Sequence, residues 1–143
     1  MSKWIVYTDG ACLGNPGPGG WAAVILQEDQ STELVGSEPQ TTNNRMEMRA
    51  AIEALIAIPP GDEVTIYTDS QYVQKGITEW IHGWRRRSWK SSTGKAVKNK
   101  DLWINLDSEV QLRKVSWLWV KGHAGNPGNE RADYLANQAA TQQ

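Results

Sequence analysis

Apolar positions along this chain follow two different periods. Lys3 to Thr8 (Lys-Trp-Ile-Val-Tyr-Thr) predicts a buried strand, ended by Asp9-Gly10. Trp21 to Leu26 predicts a second strand. Residues 32–38 predict a third, antiparallel because the connection is short. Between the first two, Gly10 to Gly20 holds five Gly and two Pro and predicts a loop. The period then becomes helical. Thr41-Thr42-Asn43-Asn44 is a helix-start signal; Met48, Ile52, Leu55 and Ile56 share one face, and Pro59-Pro60-Gly61 stops the run. Val64 to Thr68 predicts a buried strand ended by Asp69-Ser70, and Tyr72, Val73, Ile77, Trp80 and Ile81 are the apolar set of a helix over about 71–81. Residues 85–100 read as basic and irregular. A short helix over Lys100 to Leu112, a strand over Val115 to Val120 and a loop over Lys121 to Asn126 follow. Pro127 suits the first turn of a last helix that runs to about 140. The last three residues are expected to fray.

The order βββ-α-β-α-α-β-α predicts an α/β fold, a mixed sheet with helices on both faces. A length of 143 residues predicts one domain, 1–143. The single cysteine, Cys12, excludes a disulfide framework and a Cys-based zinc cage. No apolar run approaches the ~20 residues of a membrane helix, and the start lacks a signal peptide's apolar stretch. A cytoplasmic setting without membrane contact is expected. With no surplus apolar patch motif, the default is a monomer without an obligate protein partner. A net charge of −1 and a pI of about 6.1 exclude a protein that is basic everywhere, but not a local basic patch. Eight Trp and four Tyr occur with no Phe. Both types carry a polar handle that suits core edges and binding surfaces.

The candidate chemistry lies at element ends. Two predicted strands close on the same phrase, Tyr7-Thr8-Asp9 and Tyr67-Thr68-Asp69. If those strands are parallel neighbours, a spacing of about 4.8 Å brings both carboxylates together at the edge where α/β sheets bind ligands. Carboxylates that close repel, and a hard divalent cation such as Mg²⁺ or Mn²⁺ relieves the conflict. Capping is the competing explanation. Asp69 is placed to cap a helix starting near Gln71, Glu47 stands at capping-box spacing from Asn44, and Asp133 near a helix start suits the dipole. His123, in a Gly-rich loop, is either solvated or a candidate for proton transfer beside such a cluster. His82, among Trp80, Ile81 and Trp84, reads as structural.

Seven of the fifteen Lys and Arg fall within residues 85–100: Arg85, Arg86, Arg87, Lys90, Lys95, Lys98 and Lys100. Trp80, Trp84, Trp89 and Trp103 surround them. Basic and aromatic side chains interleaved in this way form a nucleic-acid footprint, with a solvated charged loop as the alternative. The Gly-rich segment 14–20 lacks a Gly-Lys-Ser/Thr ending and joins strand to strand, so it is no phosphate cradle by motif.

These segments together resemble the bacterial type 1 ribonuclease H family (ribonuclease HI). The resemblance rests on Tyr-Thr-Asp-Gly at 7–10, Gly-Asn-Pro-Gly-Pro-Gly-Gly at 14–20, Thr-Thr-Asn-Asn-Arg-Met-Glu at 41–47 and Thr-Asp-Ser-Gln-Tyr-Val at 68–73. It continues through Gly-Ile-Thr-Glu-Trp-Ile-His at 76–82, Val-Lys-Asn-Lys-Asp-Leu-Trp at 97–103, Trp-Val-Lys-Gly-His-Ala-Gly at 119–125 and Asn-Glu-Arg-Ala-Asp at 129–133. It implies a ribonuclease H-like fold with a five-stranded mixed sheet. It implies an endonuclease that cuts the RNA strand of RNA/DNA hybrids and leaves 5′-phosphate and 3′-hydroxyl ends. By resemblance, Asp9, Glu47, Asp69 and Asp133 hold two Mg²⁺ ions, with Mn²⁺ as a substitute, and His123 assists proton transfer and product departure. Asn15, Asn43, Asn44 and Gln71, with the backbone near Cys12, would read the 2′-hydroxyl. Thr42 and Asn99 would contact DNA phosphate, and Trp80 and Trp84 would wall a deoxyribose channel. The segment of about 81–100, with Arg85, Arg86, Arg87 and Lys98, matches a basic protrusion that grips DNA. Arg49 and Gly128 depart from the family pattern, and an extra Gly at 128 is expected to loosen the His123 loop or the start of the last helix. A binding module on the same fold would keep the basic segment and lose an acid, and other nucleases of the superfamily lack the Trp-rich protrusion.

Overall fold

The Gly-rich stretch is mostly strand. In the computed structural model, which describes residues 2–122 and 125–143, β1 (Lys3–Cys12), β2 (Gly17–Gln27) and β3 (Gln30–Thr41) form an antiparallel meander. Only residues 13–16 lie between β1 and β2. Glycine serves close approach here. A Cβ on Gly10 would overlap the backbone at Met46 and Glu47, and one on Gly20 would overlap the backbone at Ala136 and Ala140. A glycine in a strand often marks such backbone contact, and that is where the predicted loop fails.

α1 (Asn43–Ile56) leads to β4 (Glu63–Thr68), which pairs parallel with β1; β5 (Lys114–Trp119) pairs parallel with β4. The sheet order is β3-β2-β1-β4-β5. After β4 the predicted helix runs further than its apolar set, through α2 (Gln71–Lys75), a π-helical turn (Gly76–Trp80) and α3 (Ile81–Arg86). Within the π turn, Gly76 lies against the Trp103 indole so closely that a Cβ would overlap it. α4 (Lys100–Gln111) and α5 (Pro127–Thr141) complete the fold.

The two faces of the sheet are packed differently. On one, Val6, Ile25, Val64 and Ile66 meet Ile52 and Leu55 of α1, Val73, Ile81, Trp103 and Leu106 in one large buried cluster. On the other, α5 lies on β1–β3 through small residues, Ala11, Ala22, Ala136 and Ala140. Among the described residues, β4 and β5 receive no comparable cover there. Along β5, Val115 and Trp117 are half-buried, whereas Ser116 and Leu118 are exposed. His82, expected to be structural, is exposed and bonds the Thr78 carbonyl one turn back (3.2 Å). The chain end does not simply fray: α5 continues to Thr141, and Gln143 Nε2 donates to Gly19 O (2.8 Å).

Candidate active site

Parallel pairing of β1 with β4 sets Tyr7 opposite Tyr67 and Thr8 opposite Thr68, so Asp9 and Asp69 leave the sheet at the same edge. Glu47 comes from α1, whose N-cap is Thr42, its Oγ1 accepting from Arg45 N at 3.3 Å. Glu47 therefore lies past the first turn, outside capping-box reach of that cap. The cap of α2 is Ser70, which accepts from Val73 N at 3.1 Å, so Asp69 is not needed there. Asn126 caps α5, with Pro127 at its first position, and Asp133 lies more than a turn inside. Capping thus explains none of these acids.

Asp9, Glu47 and Asp69 each offer a carboxylate oxygen within 4.8 Å of the others. Asp133 lies outside that trio but close enough to Asp9 to raise the Asp9 carboxyl. Asn137, one turn on, donates to Asp133 Oδ1 (3.2 Å).

Burial dominates the electrostatics. Asp9 is 2 % exposed and Glu47 5 %. Desolvation is the largest influence on the Asp9 carboxyl and pushes it up; a hydrogen bond with Glu47 opposes it, Asp69 and Asp133 add smaller raises, and the carboxyl rests at about 8. Glu47 is raised well above the usual carboxylate range, by burial first and then by Asp9 and Asp69. Gly10 N donates to Asp9 Oδ1 (2.9 Å), but Asp9 Oδ2 and Glu47 Oε2 have no donor when both groups are ionised. Two sources of relief exist, a shared proton or a cation. An all-oxygen donor set of this charge suits a hard divalent ion such as Mg²⁺ or Mn²⁺.

Where the β1–β2 turn meets the start of α1, Asn15, Thr42, Asn43, Asn44, Lys98 and Asn99 line one cleft of about 350 Å³. Asn15, before a cis Pro16, accepts from Asn43 N at 2.8 Å and ties the β1–β2 turn to α1. Asn99 has left-handed φ, donates to Tyr72 Oη (3.1 Å) and accepts from Arg45 (3.2 Å). Cys12 Sγ is within reach of Thr41 O (3.3 Å) and Gly17 O (3.5 Å). Gln71 is the exposed first residue of α2.

The aromatic wall is continuous. Trp84 packs on Trp103 (ring centroids 5.2 Å apart) and on Trp80 (6.0 Å), which is 40 % exposed. Arg85 is not free: Asp107 of α4 takes its guanidinium in two hydrogen bonds. Arg86 and Arg87 are exposed. His123 lies outside the described residues. Gly122 passes close by, where a Cβ would sit 3.1 Å from Asp69 Oδ2.

Three residues escaped the sequence reading. Trp119 Nε1 donates to Asp69 O (3.1 Å), Tyr72 Oη gathers Asn99 and Trp103 Nε1 (3.2 Å), and Arg45 grips Asp101 through both guanidinium nitrogens (3.0 and 2.7 Å). Trp119 was findable as the β5 residue level with Thr68. The Arg45–Asp101 pair spans 56 positions and leaves no local spacing signal.

Comparison with known proteins adds the following. A family model described as RNase H matches residues 1–141. A Ribonuclease H of Polaromonas sp. is 60 % identical over 140 residues, 96 % of this chain and 88 % of that one. A Ribonuclease H of Cupriavidus pinatubonensis is 59 % identical over 138 residues, 96 % and 95 % of the two chains. Among solved structures, LC9-RNase H1, described as a type 1 RNase H with the type 2 active-site motif, superposes with TM-score 0.91 at 39 % identity, covering 100 % of this chain and 74 % of its own. LC11-RNase H1 in complex with an RNA/DNA hybrid gives 0.72 at 26 % identity, covering 97 % of each.

Proposed function

The chain belongs to the RNase H family, and from that premise we propose that it is an endonuclease that hydrolyses the RNA strand of RNA/DNA hybrids, leaving 5′-phosphate and 3′-hydroxyl ends. The observation that carries the reading is the Asp9–Glu47–Asp69 cluster, in which Asp9 Oδ2 and Glu47 Oε2 are buried without a hydrogen-bond donor. Asp9, Glu47, Asp69 and Asp133 would hold two Mg²⁺ ions, replaceable by Mn²⁺. When bound, the ions supply the positive charge that activates water and stabilises the leaving oxygen.

The remaining roles belong to the chain itself. Asn15, Asn43, Asn44, Gln71 and the backbone near Cys12 read the 2′-hydroxyl. The cleft of Thr42, Lys98 and Asn99 takes a DNA phosphate. Trp80 and Trp84 wall the deoxyribose. Arg86 and Arg87 meet the phosphate backbone, while Arg85, held by Asp107, braces α3 on α4 and adds to the local potential. His123 carries a proton to or from the reacting phosphate and aids product departure. The whole chain acts as one domain, cytoplasmic and monomeric.

The test is cleavage of a labelled RNA/DNA hybrid with Mg²⁺, beside EDTA, duplex RNA, duplex DNA and an Asp69→Asn variant. Cutting confined to the RNA of the hybrid, lost with EDTA or Asp69→Asn, is the expected result. Tight hybrid binding without cutting would replace the enzyme reading with that of a binding module.

A further inference from the structure

Gly128 stands where helix formation alone would not put it. It is the second residue of α5, it has no left-handed φ, and glycine inside a helix is worse than alanine by about 1 kcal/mol. What the position lacks is room. A Cβ there would overlap the Tyr7 ring, coming within 2.6 Å of Cγ. Cγ is held by the β1 backbone, so the ring cannot yield as the far end of a flexible side chain would. Nor can it slide away along the sheet. Tyr67, its register partner on β4, stacks on it with centroids 4.9 Å apart and planes at 15°. The N-terminal turn of α5 thus rests, through Gly128, on two rings rooted in both central parallel strands.

Each ring precedes a cluster acid by two residues, Tyr7 before Asp9 and Tyr67 before Asp69. Asp133 follows Gly128 by five residues on α5, roughly 7.5 Å along the helix axis. The expectation that Gly128 loosens this helix start is therefore reversed, because the missing Cβ lets α5 seat closely. We infer that the Tyr67–Tyr7–Gly128 stack is a spacer that sets the height of α5 over the sheet, and with it the reach of Asp133 to Asp9. Gly128 and Tyr67 are then positioning residues for the fourth carboxylate. The inference rests on the reading that Asp133 is a metal ligand.

Helix propensity and the spacer make opposite predictions for Gly128→Ala. Propensity alone stabilises the helix and leaves the site untouched. The spacer requires that α5 be pushed outward. Calorimetric titration of the substrate-free protein with Mn²⁺ should then show affinity about tenfold weaker, while hybrid binding in EDTA stays within about twofold, since the aromatic wall lies elsewhere. Tyr67→Ser removes the backing and lets Tyr7 retreat. In that background, adding Gly128→Ala should change Mn²⁺ affinity by less than about twofold, a non-additivity that a merely structural glycine would not produce. Unchanged Mn²⁺ affinity in Gly128→Ala, or the same loss in both backgrounds, overturns the spacer. If Gly128→Ala does not fold, Tyr67→Ser alone decides: weakened Mn²⁺ binding supports the stack, unchanged binding overturns it. Asp133→Asn separates the two levels. If it leaves Mn²⁺ binding and cleavage intact, the metal reading of Asp133 fails. If it weakens both while Gly128→Ala weakens neither, the spacer fails alone.

Discussion

Asp9 and Glu47 are buried against other acids, whereas Arg86 and Arg87 stand in solvent and Arg45 and Arg85 each face an aspartate. The two charged regions obey different physics. Like charges without water raise one another's pKa and strain the fold, so an unrelieved acid cluster persists only where something else requires it. Opposite charges near the surface are individually cheap and add little stability. Arg45 holds Asp101 down to about 2, an ordinary consequence of a bidentate pair. The acids therefore point to a site more sharply than the more numerous bases, two of which, Arg45 and Arg85, tie α1 and α3 to α4.

The comparison breaks most visibly at Asp9. Asp9→Asn should lower turnover on the order of 10³-fold, with hybrid affinity in EDTA unchanged. It should also raise the melting temperature of the metal-free protein near pH 8, because a buried carboxyl that folding forces to hold its proton is gone. Retained turnover would remove Asp9 from the site. Next comes pH. The Asp9 carboxyl sits at about 8 in the folded chain against an ordinary 3.8, so the folded state favours its protonated form. The stability this contributes is complete below the ordinary value and is lost as pH rises toward 8. Metal-free melting temperature should fall by roughly 5 °C between pH 5 and 8, and added Mg²⁺ should reverse the fall. A flat profile that Mg²⁺ does not move would mean the acids are not strained.

The basic side is sharpened by Arg86→Ala against Arg85→Ala. The first should raise KM about threefold, leave kcat near its starting value and reduce the salt slope by about one. The second should mainly lower stability, by less than about 1 kcal/mol. Equal effects on KM would make Arg85 a phosphate contact after all. The smallest effect is expected at Trp119→Phe, which removes one hydrogen bond to the Asp69 carbonyl. Turnover should drop about twofold to fivefold with hybrid binding constant, in line with one modest hydrogen bond of about 1 kcal/mol.

The parallel carboxylates were legible because strand ends are marked twice, by apolar runs and by the repeated Tyr-Thr-Asp. Glu47 was less so: its spacing from Asn44 imitates a capping box, and only the placement of the cap at Thr42 separates the two meanings. The glycines of β1 and β2 were misread because a turn glycine and a close-contact glycine are the same letter. The difference lies in Met46, Glu47 and Ala136, distant in sequence. The π turn was hidden for the same reason, since the Trp103 indole packed on Gly76 lies 27 positions away. Arg85 looked like a free cation until Asp107 appeared beside it.

β5 closes one side of the sheet, and among the described residues no strand pairs beyond it. Residues 115–120 (Val-Ser-Trp-Leu-Trp-Val) contain neither charge nor proline, a composition that stacks readily between chains. Lys114 and Lys121 flank the run, the placement by which charged residues oppose aggregation of an apolar strand. The strand that completes the sheet behind Asp69 is thus also an open edge, of the kind that charge at its two ends keeps from pairing with another chain.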